Sequence, residues 1–173
     1  IEDSSNTGGD GHKVTATNNA IIKSSPFGDG KSAMYFDGSN DKITADNHAD
    51  FSVAAEAWSI DYWVCVDTSD AGGMMSITNI SSNSPTESNS ALVLYQDSSN
   101  PDQLHWYMDD DSTSDWDMTS AATGFTFDDN LRWHHIALAY GGSSDQNYRL
   151  FVDGRLIKTH SSSATMQSSS GGQ

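Results

Sequence analysis

The chain has one cysteine, Cys65, so no intrachain disulfide can staple it. If it works outside the cell, packing must hold it together, with a bound metal as the other means. Positive charge is scarce: 8 Lys and Arg face 24 Asp and Glu, for a formal charge of −16. Nucleic acid and anionic lipid surfaces both need a Lys/Arg footprint, so neither is an expected partner. There is no run of 18 apolar residues, which excludes a transmembrane helix and any expectation of membrane insertion. No signal peptide is visible, and Ile1 rather than Met stands first, so a processed chain or a fragment is expected. Helical periodicity is nearly absent.

What remains is a chain of 173 residues, rich in Ser, Asn, Asp and Gly, with a length that suits one domain. Hydrophobic residues make up only 35 %, but 5 Trp, 6 Tyr and 6 Phe compensate, since each aromatic buries a large area. Such a composition favours many short strands joined by turns. Period-two alternation bears this out. Trp58, Ile60, Tyr62, Val64 and Val66 share one face of a strand whose other face holds Ser59, Asp61, Trp63 and Cys65. Between Arg132 and Tyr140, Ile136, Leu138 and Tyr140 oppose His135, Ala137 and Ala139. Tyr148, Leu150 and Val152 alternate with Arg149 and Phe151, and Asp153-Gly154 then signals a two-residue hairpin into Arg155 to His160. Further strands are expected at Lys13–Thr17, Ala20–Ser24, Ser32–Phe36, Lys42–Ala45, Met74–Ile80, Ala91–Gln96, Leu104–Asp109 and Trp116–Thr119. Thr123–Leu131 reads as a connection with room for one helical turn, and Ser161–Gln173 as a Ser/Gly-rich tail or linker after a domain of residues 1–160. Phe36, Trp58, Tyr62, Trp133, Tyr140 and Tyr148 are expected in the core, with Cys65 as a small buried hydrophobe. The fold class is all-β, an antiparallel sandwich or barrel.

Three stretches, in order, carry a family resemblance. Phe27-Gly28-Asp29-Gly30-Lys31-Ser32-Ala33-Met34-Tyr35-Phe36-Asp37-Gly38-Ser39-Asn40-Asp41-Lys42-Ile43 resembles the pattern G-x-S-x-x-F-D-G-S-x-D-x-V/I. Trp58-Ser59-Ile60-Asp61-Tyr62-Trp63-Val64 is similar to F-T-I-E-F-W-V. Trp133-His134-His135-Ile136-Ala137-Leu138-Ala139-Tyr140, followed by Tyr148-Arg149-Leu150-Phe151-Val152-Asp153-Gly154, resembles W-H-H-V-A-L-V-Y with L-x-L-Y-V-D-G. These are marks of the laminin-G-like, concanavalin A-like lectin and glucanase superfamily, in the style of phage tail or fibre proteins and bacterial adhesins. The resemblance implies a two-sheet jelly-roll sandwich. The family's usual closing strand, roughly I-D-E-V/F-R-I, has no counterpart before Gly171-Gly172-Gln173, so a missing closing strand, with an open edge or a neighbour that completes the sheet, is expected.

The resemblance also frames the chemistry. Glucan-hydrolysing relatives carry E-x-D-x-x-E on one strand, which sets two carboxylates about 5 Å apart for a retaining mechanism. Here Asp61 stands alone in its strand, with Glu56 five residues away, and no nucleophile elbow occurs. The chain is therefore expected not to be an enzyme. Relatives often hold one calcium at the rim or convex face of the sandwich. The oxygen donors that fit a hard cation are Asp3 and the turn of Asp37, Asn40 and Asp41, with Asp109-Asp110-Asp111 and Asp115 as further candidates. The competing reading has Asp37 and Asn40 capping their own turn. His134 and His135 are adjacent on a strand, point to opposite faces and cannot chelate one ion; His135 could pair with His105 or His160 across strands, but the family pattern makes these histidines structural. A sugar platform pairs aromatic faces with short polar acceptors. Trp106, Tyr107, Asp109, Asp115 and Trp116 are the expected carbohydrate-binding residues, with Tyr95 nearby; packing is the competing role for Trp106 and Tyr95. The expected function is a carbohydrate-binding recognition or adhesion module, extracellular or on a virion surface. Its partners would be cell-surface glycan or neighbouring subunits. The alternative is a structural display or decoration domain with no small ligand.

Overall fold

A computed structural model describes residues 12–25, 27, 30–45, 51, 53, 56–78, 90–109, 119–164 and 166. The chain divides into two compact units, with the boundary between Phe51 and Ser52.

The first unit contains two short antiparallel pairs. β1 (Val14–Thr17) pairs with β4 (Lys42–Ala45), and β2 (Ile21–Ser24) with β3 (Ser32–Tyr35). All four strands stand where the alternation placed them, within a residue at each end. Lys23 lays its ammonium over the Tyr35 ring at 3.5 Å, a cation–π contact between paired strands. Phe36, expected in the core, is instead exposed, as are Ile21 and Ile22.

The second unit is a sandwich of two four-stranded sheets. One has the order β12-β11-β10-β5, with β5 Trp58–Cys65, β10 Trp133–Tyr140, β11 Asn147–Val152 and β12 Arg155–Ser161. The other has the order β6-β7-β8-β9, with β6 Gly72–Thr78, β7 Ser90–Gln96, β8 Gln103–Met108 and β9 Thr119–Thr126. Every neighbouring pair is antiparallel. The chain lays down β5, crosses to build β6 to β9 as a meander, and returns to set β10 beside β5. Among the described residues, the strands at the sheet edges are β12, β5, β6 and β9.

The core lies between these sheets. Leu92, Leu94, Leu104, Trp106 and Met108 of one sheet meet Ile136, Leu138, Tyr140, Tyr148, Leu150 and Val152 of the other. Each set occupies alternate positions, as a strand with one buried face requires. Tyr140 and Tyr148 stack at 4.3 Å between ring centroids. Burial pushes the Tyr62 hydroxyl's pKa well up, since a phenolate would lose its water.

Four expectations are corrected here. Trp133 sits at an odd position of β10, with His135 and Ala137 on the outer face, and it is His134 that points inward. Cys65 is half-buried rather than enclosed. β9 runs from Thr119 to Thr126, where a connection and a helical turn were expected from Thr123 onward. Gly124, at φ +85°, and a register shift opposite Gln103 and His105 break the alternation, so the strand is hidden in the sequence. Its place is secured by the buried Thr123 hydroxyl, which donates to the Leu104 carbonyl at 2.8 Å. Finally, the core does not stop at residue 160. Met166 is buried within it, Ala164 packs against it, and the Tyr148 hydroxyl reaches the Ala164 carbonyl at 3.5 Å. Residues 165 and 167–173 of the expected tail, where a closing strand was sought, lie outside the described residues.

Candidate functional site

Each sheet of the sandwich turns a second face away from the core. On the β6–β9 sheet, the buried Val93 stands opposite Tyr107 and Tyr95 opposite His105, the latter three half-buried, all at the positions that alternate with Leu92, Leu94 and Trp106. The Tyr95 and Tyr107 rings pack against each other in a tilted stack, 4.8 Å between centroids and 31° between planes, and their hydroxyls contact each other. The His105 ring meets Tyr95 edge-on at 5.4 Å. The Tyr95 hydroxyl also reaches Asp97 Oδ2 at 3.5 Å. Desolvation, then the bond to Tyr107, raises the Tyr95 pKa, so the Tyr95 phenol stays protonated.

The β7–β8 turn fixes that carboxylate. Asp97 Oδ1 accepts the Ser99 amide at 2.8 Å, closing an Asx turn. This amide above all, with the charge of His105 helping, lowers the Asp97 pKa. Gln96 braces the loop from beneath, its side-chain amide donating to the carbonyls of Asp67 at 3.1 Å and Pro101 at 2.6 Å. Beside the phenols the surface is low: Gly73 of β6 pairs with Tyr95, and a methyl group there would meet nothing within 4 Å. The side of this half-buried phenol pair that borders the open space, with a carboxylate and hydroxyls at its edge, can lie against the apolar side of a pyranose and bond its hydroxyls.

The outward face of the other sheet differs. Trp63 is 53 % exposed and lies 5.2 Å from the His135 ring. His135 Nε2 pairs with Asp61 Oδ1 at 3.1 Å, and Leu156 is also exposed. On the core side of β10, His134 Nδ1 bonds Asp153 Oδ2 at 2.8 Å, while the ring packs edge-on against Phe125 and Phe127. Its Nε2 is buried without a partner, so the His134 ring is closed off although Asp153 is partly exposed.

Of the expected sugar-binding residues, only Tyr107 has a described place on an outward face. Trp106 is fully buried: β8 alternates, and the parity that sends Tyr107 outward sends Trp106 into the core. Asp109 is fully buried too, its amide donating to the Ala91 carbonyl at 3.1 Å, and offers no carboxylate at the surface. Asp115 and Trp116 lie outside the described residues. Asp97 and His105 were missed; pairing β7 with β8 across their loop would have found both.

For the expected cation site, Asp3, Asp110 and Asp111 also lie outside the described residues. In the Asp37/Asn40/Asp41 turn, the carboxylates are engaged by N–H groups. Asp41 accepts the amides of Asn19 at 2.6 Å and Asp37 at 2.9 Å, while Asp37 accepts that of Ser39 at 2.9 Å. The Asn40 carbonyl accepts the Asn18 side-chain amide. This is the turn-capping arrangement, and among the described residues no group of three or more His, Cys, Asp or Glu is placed to hold a metal. No described helix is long and apolar enough to cross a membrane.

The comparisons with known proteins agree with this architecture. A laminin-G family model, described as the Concanavalin A-like lectin/glucanases superfamily, matches residues 36–173. The chain belongs to this superfamily. No curated protein matches it. Among solved structures, it is similar to the binding domain of Paraclostridial Mosquitocidal Protein 1, with a TM-score of 0.62 and 12 % identity over 97 % of this chain and 41 % of that one. It is also similar to the binding domain of botulinum neurotoxin DC, solved with rat synaptotagmin II, with a TM-score of 0.56 and 14 % identity over 94 % of this chain and 40 % of that one. A third is a carbohydrate esterase of the Shiga toxin-encoding bacteriophage phi24B, with a TM-score of 0.50 and 15 % identity over 90 % of this chain and 75 % of that one. At these identities the likeness is one of fold, and the superfamily member spans about two fifths of the toxin binding domains' length.

Proposed function

We propose that this domain is a non-catalytic recognition module that binds carbohydrate through the outward face of β7 and β8 and works outside the cell, on a secreted protein or a virion. The observation that carries the reading is the Tyr95–Tyr107 pair with Asp97 at its border and open space over Gly73. Similarity to toxin binding domains supports a binding role. Absence of catalysis is supported by the burial of the His134 ring and by Asp61, which has no second carboxylate at the alternating positions of its strand.

The test is a glycan array followed by calorimetric titration. Tyr95→Ala and Tyr107→Ala should each weaken binding about tenfold, equivalent to ~1.4 kcal/mol, with unchanged circular dichroism. An array without hits, or affinities that neither substitution moves, overturns the reading. The exposure of Trp63 and Leu156 favours a second reading, in which that face contacts neighbouring subunits of an assembly. Calcium at the rim is a separate proposal, resting on the acidic loops rather than on the platform. Chelation with EDTA should lower the melting temperature by several degrees, since an ion held only by the native state stabilises it. A melting curve that EDTA leaves in place removes the ion.

A further inference from the structure

The negative charge of this chain is not spread along it. Residues 43–131 contain 16 of the 24 acidic residues and none of the 8 Lys and Arg, whereas the rest of the chain, with 8 of each, is neutral. The whole formal charge of −16 therefore belongs to one continuous segment. Strands β6, β7, β8 and β9 all lie inside it. The phenol platform thus stands on a sheet that has no Lys or Arg in any strand or in any loop between its strands. Its own border group, Asp97, is a half-buried acid held by the Ser99 amide at the loop. The second unit's four basic residues, Arg132, Arg149, Arg155 and Lys158, fall in or beside the strands of the other sheet. Two of them already pair with acids, Arg132 with Asp129 at 2.7 Å and Arg149 with Asp145.

Carboxylate and sulfate groups on a sugar are recognised through cations, most of all the forked guanidinium of arginine. No Arg or Lys belongs to the β6–β9 sheet, the one titratable nitrogen on its described strands is that of His105, next to Asp97 and Tyr95, and a field dominated by one sign repels anions before they reach contact. Hydroxyl groups need no cation: a carboxylate accepts them and a phenol donates to them.

We infer that the glycan taken by the β7–β8 face carries no acidic group: it is a neutral or amino-sugar oligosaccharide, not a sialylated, uronic or sulfated one. This deepens the carbohydrate-binding reading and rests on it.

Matched pairs test it. The protein would be titrated with neutral oligosaccharides found to bind and with the same oligosaccharides bearing a terminal sialic acid or a sulfate. EDTA would be present throughout, so that no divalent ion bridges acid to acid. At about 10 mM salt the neutral member should bind at least about tenfold more tightly. At about 1 M salt, where the screening length falls to about 3 Å, the ratio should shrink below about threefold. Tyr107→Ala should weaken the neutral ligand, placing the measured site on this face. Equal or tighter binding of the acidic members overturns the inference and leaves the carbohydrate reading standing. A preference that salt leaves unchanged also overturns it, because discrimination would then come from shape and not charge. Failure of every glycan to bind overturns the reading and this inference together.

Discussion

The outward face of the β6–β9 sheet carries two phenols in a tilted stack, a histidine and a carboxylate, on strands without Lys or Arg. The outward face of the β5, β10–β12 sheet carries Trp63, His135 and Asp61, on strands that hold or adjoin four basic residues. Both faces are built by the same rule. On each sheet, alternate residues fill one continuous core and the intervening positions face away from it, although on β7 the intervening Ala91 and Val93 are buried as well. The core therefore says little about what the domain binds, whereas the odd positions of β8 and β10 say a good deal. The difference teaches that an aromatic residue in this sandwich must be assigned to a face before it is assigned a role. Trp106 and Tyr107 are adjacent in sequence and have opposite duties.

The largest expected effect tests that assignment. Trp106→Ala should destabilise the domain by about 3–5 kcal/mol in urea unfolding, as for other large core truncations. Trp63→Ala, at a position 53 % exposed, should cost about 1 kcal/mol. Trp106→Phe should cost far less than Trp106→Ala. The indole Nε1 is buried without a hydrogen-bond partner, and the phenyl ring removes that orphaned donor while keeping most of the volume. If Trp63→Ala proved as damaging as Trp106→Ala, the division into core and outward faces would be wrong.

The sandwich was legible because alternation and turn chemistry are local. β5, β10 and β11 could be read from period two alone, and Asp153-Gly154 from its dipeptide, since both residues take positive φ, 51° and 77°. β9 was not legible, because Gly124 and a bulge disturb its alternation while the residues that hold it, Leu104 and the core beneath Phe125, are distant in sequence. The candidate site was legible only in part for the same reason. Tyr107 could be proposed from its neighbourhood, but nothing in a single strand reveals that Tyr95, His105 and Asp97 converge on it; that follows from the register across the 97–102 loop. Parity errors were the costliest. Trp133 reads as core until β5 fixes which β10 positions face inward, and Trp106 reads as surface until the same is done for β8.

A smaller effect separates how the two sheets are secured. The β7–β8 loop is held by a neutral side chain, Gln96, between two carbonyls. The β11–β12 turn is held by a charged one. Asp153 bonds the buried His134 ring through Oδ2 and accepts the His135 amide at 2.9 Å through Oδ1, while its own amide donates to the His135 carbonyl at 2.9 Å. Burial alone would raise the Asp153 pKa, but the His135 amide and the His134 ring outweigh it, and the net shift is downward. The sign follows. A carboxyl with a lowered folded pKa adds stability that is complete above its unfolded value of about 4 and disappears as pH falls through the lower folded value. The carboxylate is 44 % exposed, so solvent screens much of the electrostatic part, and the cost of losing it lies mainly in the stranded His134 nitrogen. Asp153→Ala should therefore cost about 1–3 kcal/mol at pH 7. Asp153→Asn should cost less, because asparagine tolerates the positive φ and still accepts the His135 amide. The advantage of the wild-type protein over Asp153→Asn should shrink as the pH is lowered below about 4. Parallel denaturation series from pH 7 to pH 2 would measure it, and an advantage that stayed constant across that range would show that the turn is held by its backbone alone, as any neutral hairpin would be.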